Sequence, residues 1–242
     1  MSHNVSRKTQ DPDLRKVRAE KILETAGDLL LRFGYNRITI DDIAKYAGVG
    51  KGTIYLHWKT REGLFNTVIS REFSEVLDVM LNALRQDPAM VLLHNAVRLE
   101  FLTVMRRPIL KALFTADLEL MGNLVTGGVS HAMNVKFDQM FEKYLELMAE
   151  HGLIRKDLAI QELMYAWSAT SLGFFLIDPF STEEFPFDLE RKADLLADTI
   201  RKMFGVENDH DPAAMASVVP LVVELLTDIS EQYHAEVRKA YE

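Results

Sequence analysis

The chain has 242 residues, 48% of them hydrophobic and 26% charged, enough to bury one large core or two smaller ones. The absence of cysteine excludes a disulfide framework, a thiolate metal site and a cysteine nucleophile. The net charge of −8 would oppose a nucleic-acid partner if it were spread evenly, but residues 1–65 hold 12 Lys and Arg against 8 Asp and Glu, net +4, and the remainder is net −12. A basic head on an acidic body is the asymmetry expected when one end meets phosphates.

In chain order, residues 1–10 are polar and read as a disordered N-terminal arm. The first thirty residues lack an apolar h-region, and no later apolar run approaches the roughly 20 residues that a membrane span needs. The chain therefore reads as soluble and cytoplasmic, with no membrane partner. Asp11 and Pro12 open a first helix whose apolar positions, Ile22, Leu23, Ala26, Leu29, Leu30 and Phe33, keep helical spacing up to a stop at Gly34. Thr39 with Asp42 forms a capping-box pair ahead of a short apolar set, Ile40, Ile43, Ala44 and Ala47. A third helix spans about Lys51–Trp58, and Thr60 caps a fourth that continues past Leu84 to Pro88. Further helices are expected at about 88–105, 108–121, 128–150, 158–177, 187–204 and 212–240, with Pro220 kinking or splitting the last. No strand alternation persists, so the fold class is all-α, with about nine or ten helices.

The stretch "AGVGKGTIYLHWKTREGL" (47–64) carries the function. A helix this short that buries only Ile54 and Trp58 gains little from packing, so its outward face has another purpose. Two helices joined by three or four residues with two glycines have the spacing of a helix-turn-helix, whose second helix enters the major groove. Gly50 and Gly52 let the backbone approach the sugar-phosphate chain. Lys51 reaches a base edge or a phosphate, and Thr53 a base or a thymine methyl. Tyr55, His57, Lys59 and Thr39 are placed for phosphate oxygens. His57 also suits packing, and Leu56 fits either the groove or the interior.

The string "TIDDIAKYAGVGKGTIYLHWKTREGL" resembles the DNA-binding signature of the TetR family of transcriptional regulators. Three positions depart from that pattern: Gly50 where Ser or Thr is usual, Trp58 where Phe is usual, and Gly63 where an acid is usual. The resemblance implies a helix-turn-helix domain at 11–60 and a ligand-binding and dimerisation domain at 61–242. It implies a homodimer on a palindromic, double-stranded DNA operator, heads about one DNA turn apart (roughly 34–36 Å), and release by a small-molecule inducer. In the family the dimer is a four-helix bundle made by the last two helices of the body, here 158–177 and 187–204. Gly173 would allow close approach, and Leu189, Ala193, Leu196, Ile200 and Met203 would give the apolar stripe. The helix at 212–240 lies beyond that usual end and either extends the dimer contact or covers the body. Helix 4 then stands as the continuous rod between head and body.

For the ligand, His94, Phe101, Met105, Phe137, Met140 and Trp167 share helical spacing that suits either a core or a pocket, and 13 Phe with 11 Met lean toward an apolar or aromatic inducer. Asp117 and Glu119 suit a cationic ligand, an interhelical pair or a solvated face. No cofactor or metal is expected: the seven histidines are scattered, no Ser-His-Asp set is visible, and "GVGKGT" lacks the P-loop spacer. A regulator rather than an enzyme is the leading reading. The alternative is an all-helical small-molecule carrier or enzyme with no DNA function.

Overall fold

The computed structural model describes residues 12–124, 128–181, 185–206 and 211–241. The arm expected at 1–10 and the cap expected at Asp11 lie outside the described residues. Those described are helical or connecting, with no strand among them.

Helix α1 (Pro12–Phe33) buries Ala19, Ile22, Leu23, Ala26, Leu29 and Leu30, one stripe at helical spacing. It stops where Gly34 takes φ +74°, a left-handed conformation that costs glycine nothing. A 3-10 turn (Tyr35–Arg37) leads to α2 (Ile40–Ala47), and Gly48 at φ +67° closes α2 with its N–H on the Ala44 and Lys45 carbonyls. Then come α3 (Lys51–His57) and the long α4 (Arg61–Gln86). Leu64, Phe65 and Val68 on α4 are fully buried, and so are Ile54 and, almost wholly, Trp58, whose indole N–H donates to Thr67 Oγ1 at 2.9 Å.

The body continues through α5 (Leu93–Met105), α6 (Pro108–Phe114), α7 (Leu118–Met121), α8 (Gly128–Glu150), α9 (Ile160–Leu176), α10 (Leu189–Phe204) and α11 (Pro212–Lys239). Three boundaries differ from expectation. The segment after Pro88 is first a 3-10 turn (Pro88–Val91), because Asp87 caps it on the Ala89 N–H and α5 starts only at Leu93. The single helix expected at 108–121 breaks at 115–117, where Ala116 has φ +51° and Asp117 caps α7 by accepting from the Leu120 N–H. The Asp117 carboxylate thus serves the backbone. Helix α11 runs unbroken through Pro220, since Pro220 and Ala216 both face solvent, where water satisfies the carbonyl that proline leaves without a donor.

Helix α11 packs chiefly along α4 and also on α8. Tyr233 stacks on Phe73 with ring centroids 5.7 Å apart, Ser230 Oγ donates to Asp78 at 3.1 Å, and His234 Nε2 lies 3.1 Å from the same carboxylate. The helix thus covers the body. Among the described residues it is also the one helix long and apolar enough, by length and composition, to cross a membrane, which corrects the expectation that no run reaches that length. Its apolarity has a use inside the fold: Val218, Val222, Leu226, Ile229, Tyr233 and Val237 are buried.

Candidate nucleic-acid interface and ligand cavity

Helices α2 and α3 form a helix-turn-helix braced by α1 and by the start of α4. Thr39 caps α2 reciprocally: its Oγ1 accepts from the Asp42 N–H at 3.2 Å, and its own N–H donates to Asp42 Oδ2 at 2.9 Å. The Thr39 hydroxyl donates to that carboxylate too, at 2.6 Å. These bonds from Thr39 hold the Asp42 carboxyl below the usual carboxylate range. Both donors of Thr39 are therefore engaged in the cap.

Gly50 enters α3 in extended conformation with no side-chain cap, so the first N–H groups of α3 have no side-chain oxygen over them. Lys51, Gly52, Tyr55, Leu56 and Lys59 are exposed, and Thr53 is half-buried. A Cβ placed on Gly52 would meet nothing within 4 Å, so no packing inside the chain requires a glycine there. Lys51 Nζ pairs with Asp41 Oδ2 of α2 at 2.8 Å, and hydrogen bonding to that carboxylate raises its pKa. The far end of α3 is held from two sides. Arg15 of α1 donates to the Leu56 carbonyl at 3.3 Å, and the His57 ring meets the Ala240 carbonyl at 2.6 Å. Arg61 secures the entry to α2 by donating to the carbonyls of Tyr35 (3.1 Å) and Ile38 (2.6 Å) while lying 4.1 Å over the Tyr35 ring.

The body encloses an apolar cavity of about 80 Å³ between α4, α5, α8 and α11. A second, more open one of about 300 Å³ reaches toward α9 and shares Phe73, Glu100, Phe114, Phe137, Trp167 and Tyr233 with the first. Glu100 is half-buried and lines both cavities, and desolvation by the surrounding protein pushes its carboxyl up to about 7. The Trp167 Nε1 and the Ser171 Oγ, both on the second cavity's wall, are buried without a hydrogen-bond partner.

Comparison with known proteins agrees with this geometry. The family of bacterial regulatory proteins, tetR family, matches residues 22–68, the second half of α1 through the start of α4. The repressor BepR of Brucella suis is 29% identical over 164 residues, 65% of this chain and 74% of its own. YhgD of Bacillus subtilis is 42% identical over 59 residues and QacR of Staphylococcus aureus 39% over 56, spanning only 31% and 30% of those regulators. A TetR-family structure from Mesorhizobium loti superposes with a TM-score of 0.53 at 20% identity, covering 79% of this chain and 98% of that one. Residues 22–68 carry the DNA-binding domain of the TetR family of transcriptional regulators. The relatives with printed roles are transcriptional regulators.

The structure redistributes several expected site residues of this chain. Phe137, Met140 and Trp167 line the first cavity. Phe101 instead packs in the core against Phe175, centroids 5.0 Å apart, and is fully buried. Neither half-buried His94 nor Met105 is on either wall, because α5 turns other residues, Val97 and Glu100 among them, toward the cavities. The expected dimer stripe needs a larger correction. Ala193, Leu196 and Ile200 are fully buried inside the protomer against α5 and α9, with Leu189 and Met203 half-buried on the same core. The one apolar stripe of α10 is taken up within its own chain, and Arg191, Asp198, Arg201 and Lys202 face outward. Exposed apolar surface lies on α9 instead: Tyr165 is 78% exposed and Leu172 50%, and Gly173 is open beside them. Glu100 went unmarked in the sequence, where a lone Glu on an amphipathic helix gives no sign that it points inward.

Proposed function

We propose that this chain is a ligand-responsive repressor that binds a palindromic operator as a homodimer and is released when a small apolar or aromatic molecule enters the body. The observation that carries the reading is α3 with its exposed Lys51, Gly52, Tyr55 and Lys59, presented on a basic head above a cavity-bearing body. BepR is named a repressor, and the relative from Escherichia coli that is 24% identical over 190 residues is named a probable operon repressor; both support the same sign of control. In this reading the exposed face of α9 meets its symmetry mate, and Lys51, Thr53, Tyr55 and Lys59 contact the duplex.

Ligand response requires that the inducer prefer the arrangement that does not fit DNA, since equal affinity for both shifts nothing. Two rods connect head and body. Helix α4 was expected; α11 is the addition, because it lines the cavity with Val222, Leu226, Ile229 and Tyr233 and ends against His57 of α3. Footprinting on the DNA upstream of the regulator's own coding region, with size measurement of the free protein, tests the proposal. A protected inverted repeat and a dimer support it. A monomer with no footprint favours a helical carrier.

A further inference from the structure

The cavity walls carry charge of one sign. Among the described residues that line the two cavities, the charged side chains are Glu100 and, on the second, exposed Asp138; no Lys or Arg is present. The arginines of the neighbouring stretch are engaged elsewhere. Arg98 pairs with Asp194 at 2.7 Å and with Glu190 at 3.6 Å, Arg106 pairs with Glu190, and Arg107 pairs with Glu72 and Glu75 at 3.0 and 2.6 Å. Glu100 therefore sits in an apolar enclosure with burial as the cause of its raised pKa and no cation among the described residues offsetting it. A buried carboxylate without a counter-charge is unfavourable by several kcal/mol in general, so its place is explained by a partner from outside.

The surroundings specify that partner. The rings of Phe73, Phe114, Phe137, Trp167 and Tyr233 line both cavities around Glu100, and aromatic faces attract a desolvated cation. The Trp167 Nε1, a donor only, and the Ser171 Oγ are buried and unpartnered on the same wall. They call for an acceptor atom on the same molecule. An anionic ligand would meet Glu100 and Asp138 with nothing to balance it. A purely hydrocarbon ligand would leave the carboxylate and both polar atoms unsatisfied.

We propose that the cavity binds an organic monocation, an aromatic or apolar molecule bearing an ammonium centre and a hydrogen-bond acceptor, with Glu100 as counter-ion and the five rings as its cage. This rests on the reading of the cavity as the inducer site and names the class of inducer. Near neutrality Glu100 holds a proton part of the time, so a cation that seats beside it displaces that proton to solvent.

The test uses the full-length protein, three probes and titration calorimetry at about pH 7. Benzoylcholine carries a ring, an ester acceptor and a quaternary ammonium; 3,3-dimethylbutyl benzoate is its neutral carbon isostere; 4-phenylbutyrate is an anion of similar size. Benzoylcholine is expected to bind about tenfold or more tightly than the isostere, with a heat that varies with the buffer's ionisation enthalpy because a proton is released. Glu100→Gln is expected to remove both the preference and the proton release while the isostere still binds, which shows the cavity intact. Equal or better binding of the isostere or the anion, an unchanged preference in Glu100→Gln, or no binding of any probe overturns the proposal. Labelled operator DNA separates the two readings. Benzoylcholine that binds through Glu100 without releasing the operator leaves the cation site standing and defeats ligand-triggered release. Release by the neutral ester alone does the reverse.

Discussion

His57 Nδ1 lies 2.6 Å from the carbonyl oxygen of Ala240, joining the last turn of α3 to the end of a helix that begins 155 residues later in the chain. Since a carbonyl only accepts, Nδ1 is the protonated ring nitrogen and Nε2 is left as an acceptor. Beside this bond the Lys16 ammonium lies 5.8 Å over the Tyr241 ring, so the C-terminal turn touches both α1 and α3. Removing residues 240–242 is expected to speed backbone amide exchange in the last turn of α3, residues 55–59, while leaving exchange in the buried half of α4 unaltered. Hydrogen-exchange mass spectrometry reads both. Unchanged protection of 55–59 would show that α11 has no hold on the recognition helix.

The same ring gives a pH dependence. Burial holds the His57 pKa below 6.5, the bond to Ala240 opposes that, and Arg15 and Arg18 add to the lowering. A histidine that is harder to protonate when folded makes the unfolded state take up protons first. Its contribution to stability is therefore complete above about pH 6.5, is lost as pH falls through that value, and is gone below the lowered folded pKa. Ring NMR is expected to show the Nδ1–H form at neutrality and a titration midpoint below 6.5. A midpoint above it would contradict the buried, cation-flanked setting.

Lys51 is tied to Asp41 at 2.8 Å, so part of its charge is balanced before any DNA arrives. To reach a phosphate it must exchange one oxygen anion for another, which lowers its net gain. Asp41→Asn is accordingly expected to strengthen operator binding at low salt, and Lys51→Ala to weaken it. Each lysine that contacts a phosphate, Lys51 or Lys59, should on removal reduce the slope of log affinity against log salt by about 1. Gel shifts at several salt concentrations measure it. Two alanine variants with wild-type affinity and slope would remove α3 from the DNA interface.

The head was legible in the sequence because its constraints are local. Thr39 with Asp42, Gly48, Gly50 and Thr60 are caps and breaks whose meaning depends on neighbours within four residues, and each sits in the structure where the pattern puts it. The body was legible as helices but not as contacts. The stripe of Ala193, Leu196 and Ile200 reads identically whether it faces α5 of its own chain or a second copy, so spacing alone could not assign it. The cavity was hidden for a related reason. Phe101 and Phe137 both stand on apolar faces, and only tertiary packing, which sets Phe101 against Phe175 of α9, decides that one is core and the other is wall. Glu100 was the hardest to see, since an acid that lines an internal cavity breaks the pattern that identifies inward positions.

That acid has a stability signature of its own. With its pKa raised from 4.5 to about 7, Glu100 is protonated when folded and ionised when unfolded across the interval between those values. The folded state then binds the extra proton, so stability falls as pH rises from 4.5 toward 7 and levels off above. Glu100→Gln should match the wild type near pH 4 and exceed it near pH 8 by about 3 kcal/mol at most. Urea unfolding at the two pH values checks the sign. A variant less stable at both would mean that the carboxyl is held by a partner in the fold.

Gly34 and Gly52 make opposite demands, and substituting each with alanine separates folding from recognition. At Gly34 a Cβ would lie 2.7 Å from the Glu119 carbonyl oxygen, and φ is already +74°. Both the backbone conformation and the contact of the head with α7 oppose it, so Gly34→Ala is expected to lower stability by more than about 1 kcal/mol. Gly52 has nothing within 4 Å and lies in the first turn of a helix, where alanine is the better residue by up to about 1 kcal/mol. Gly52→Ala should therefore raise the unfolding temperature. If the glycine is there to let α3 approach the sugar-phosphate backbone, the same substitution should weaken operator binding. Calorimetry and gel shifts on the one variant give the answer: a gain in stability with undiminished DNA affinity would leave Gly52 without a recognition role.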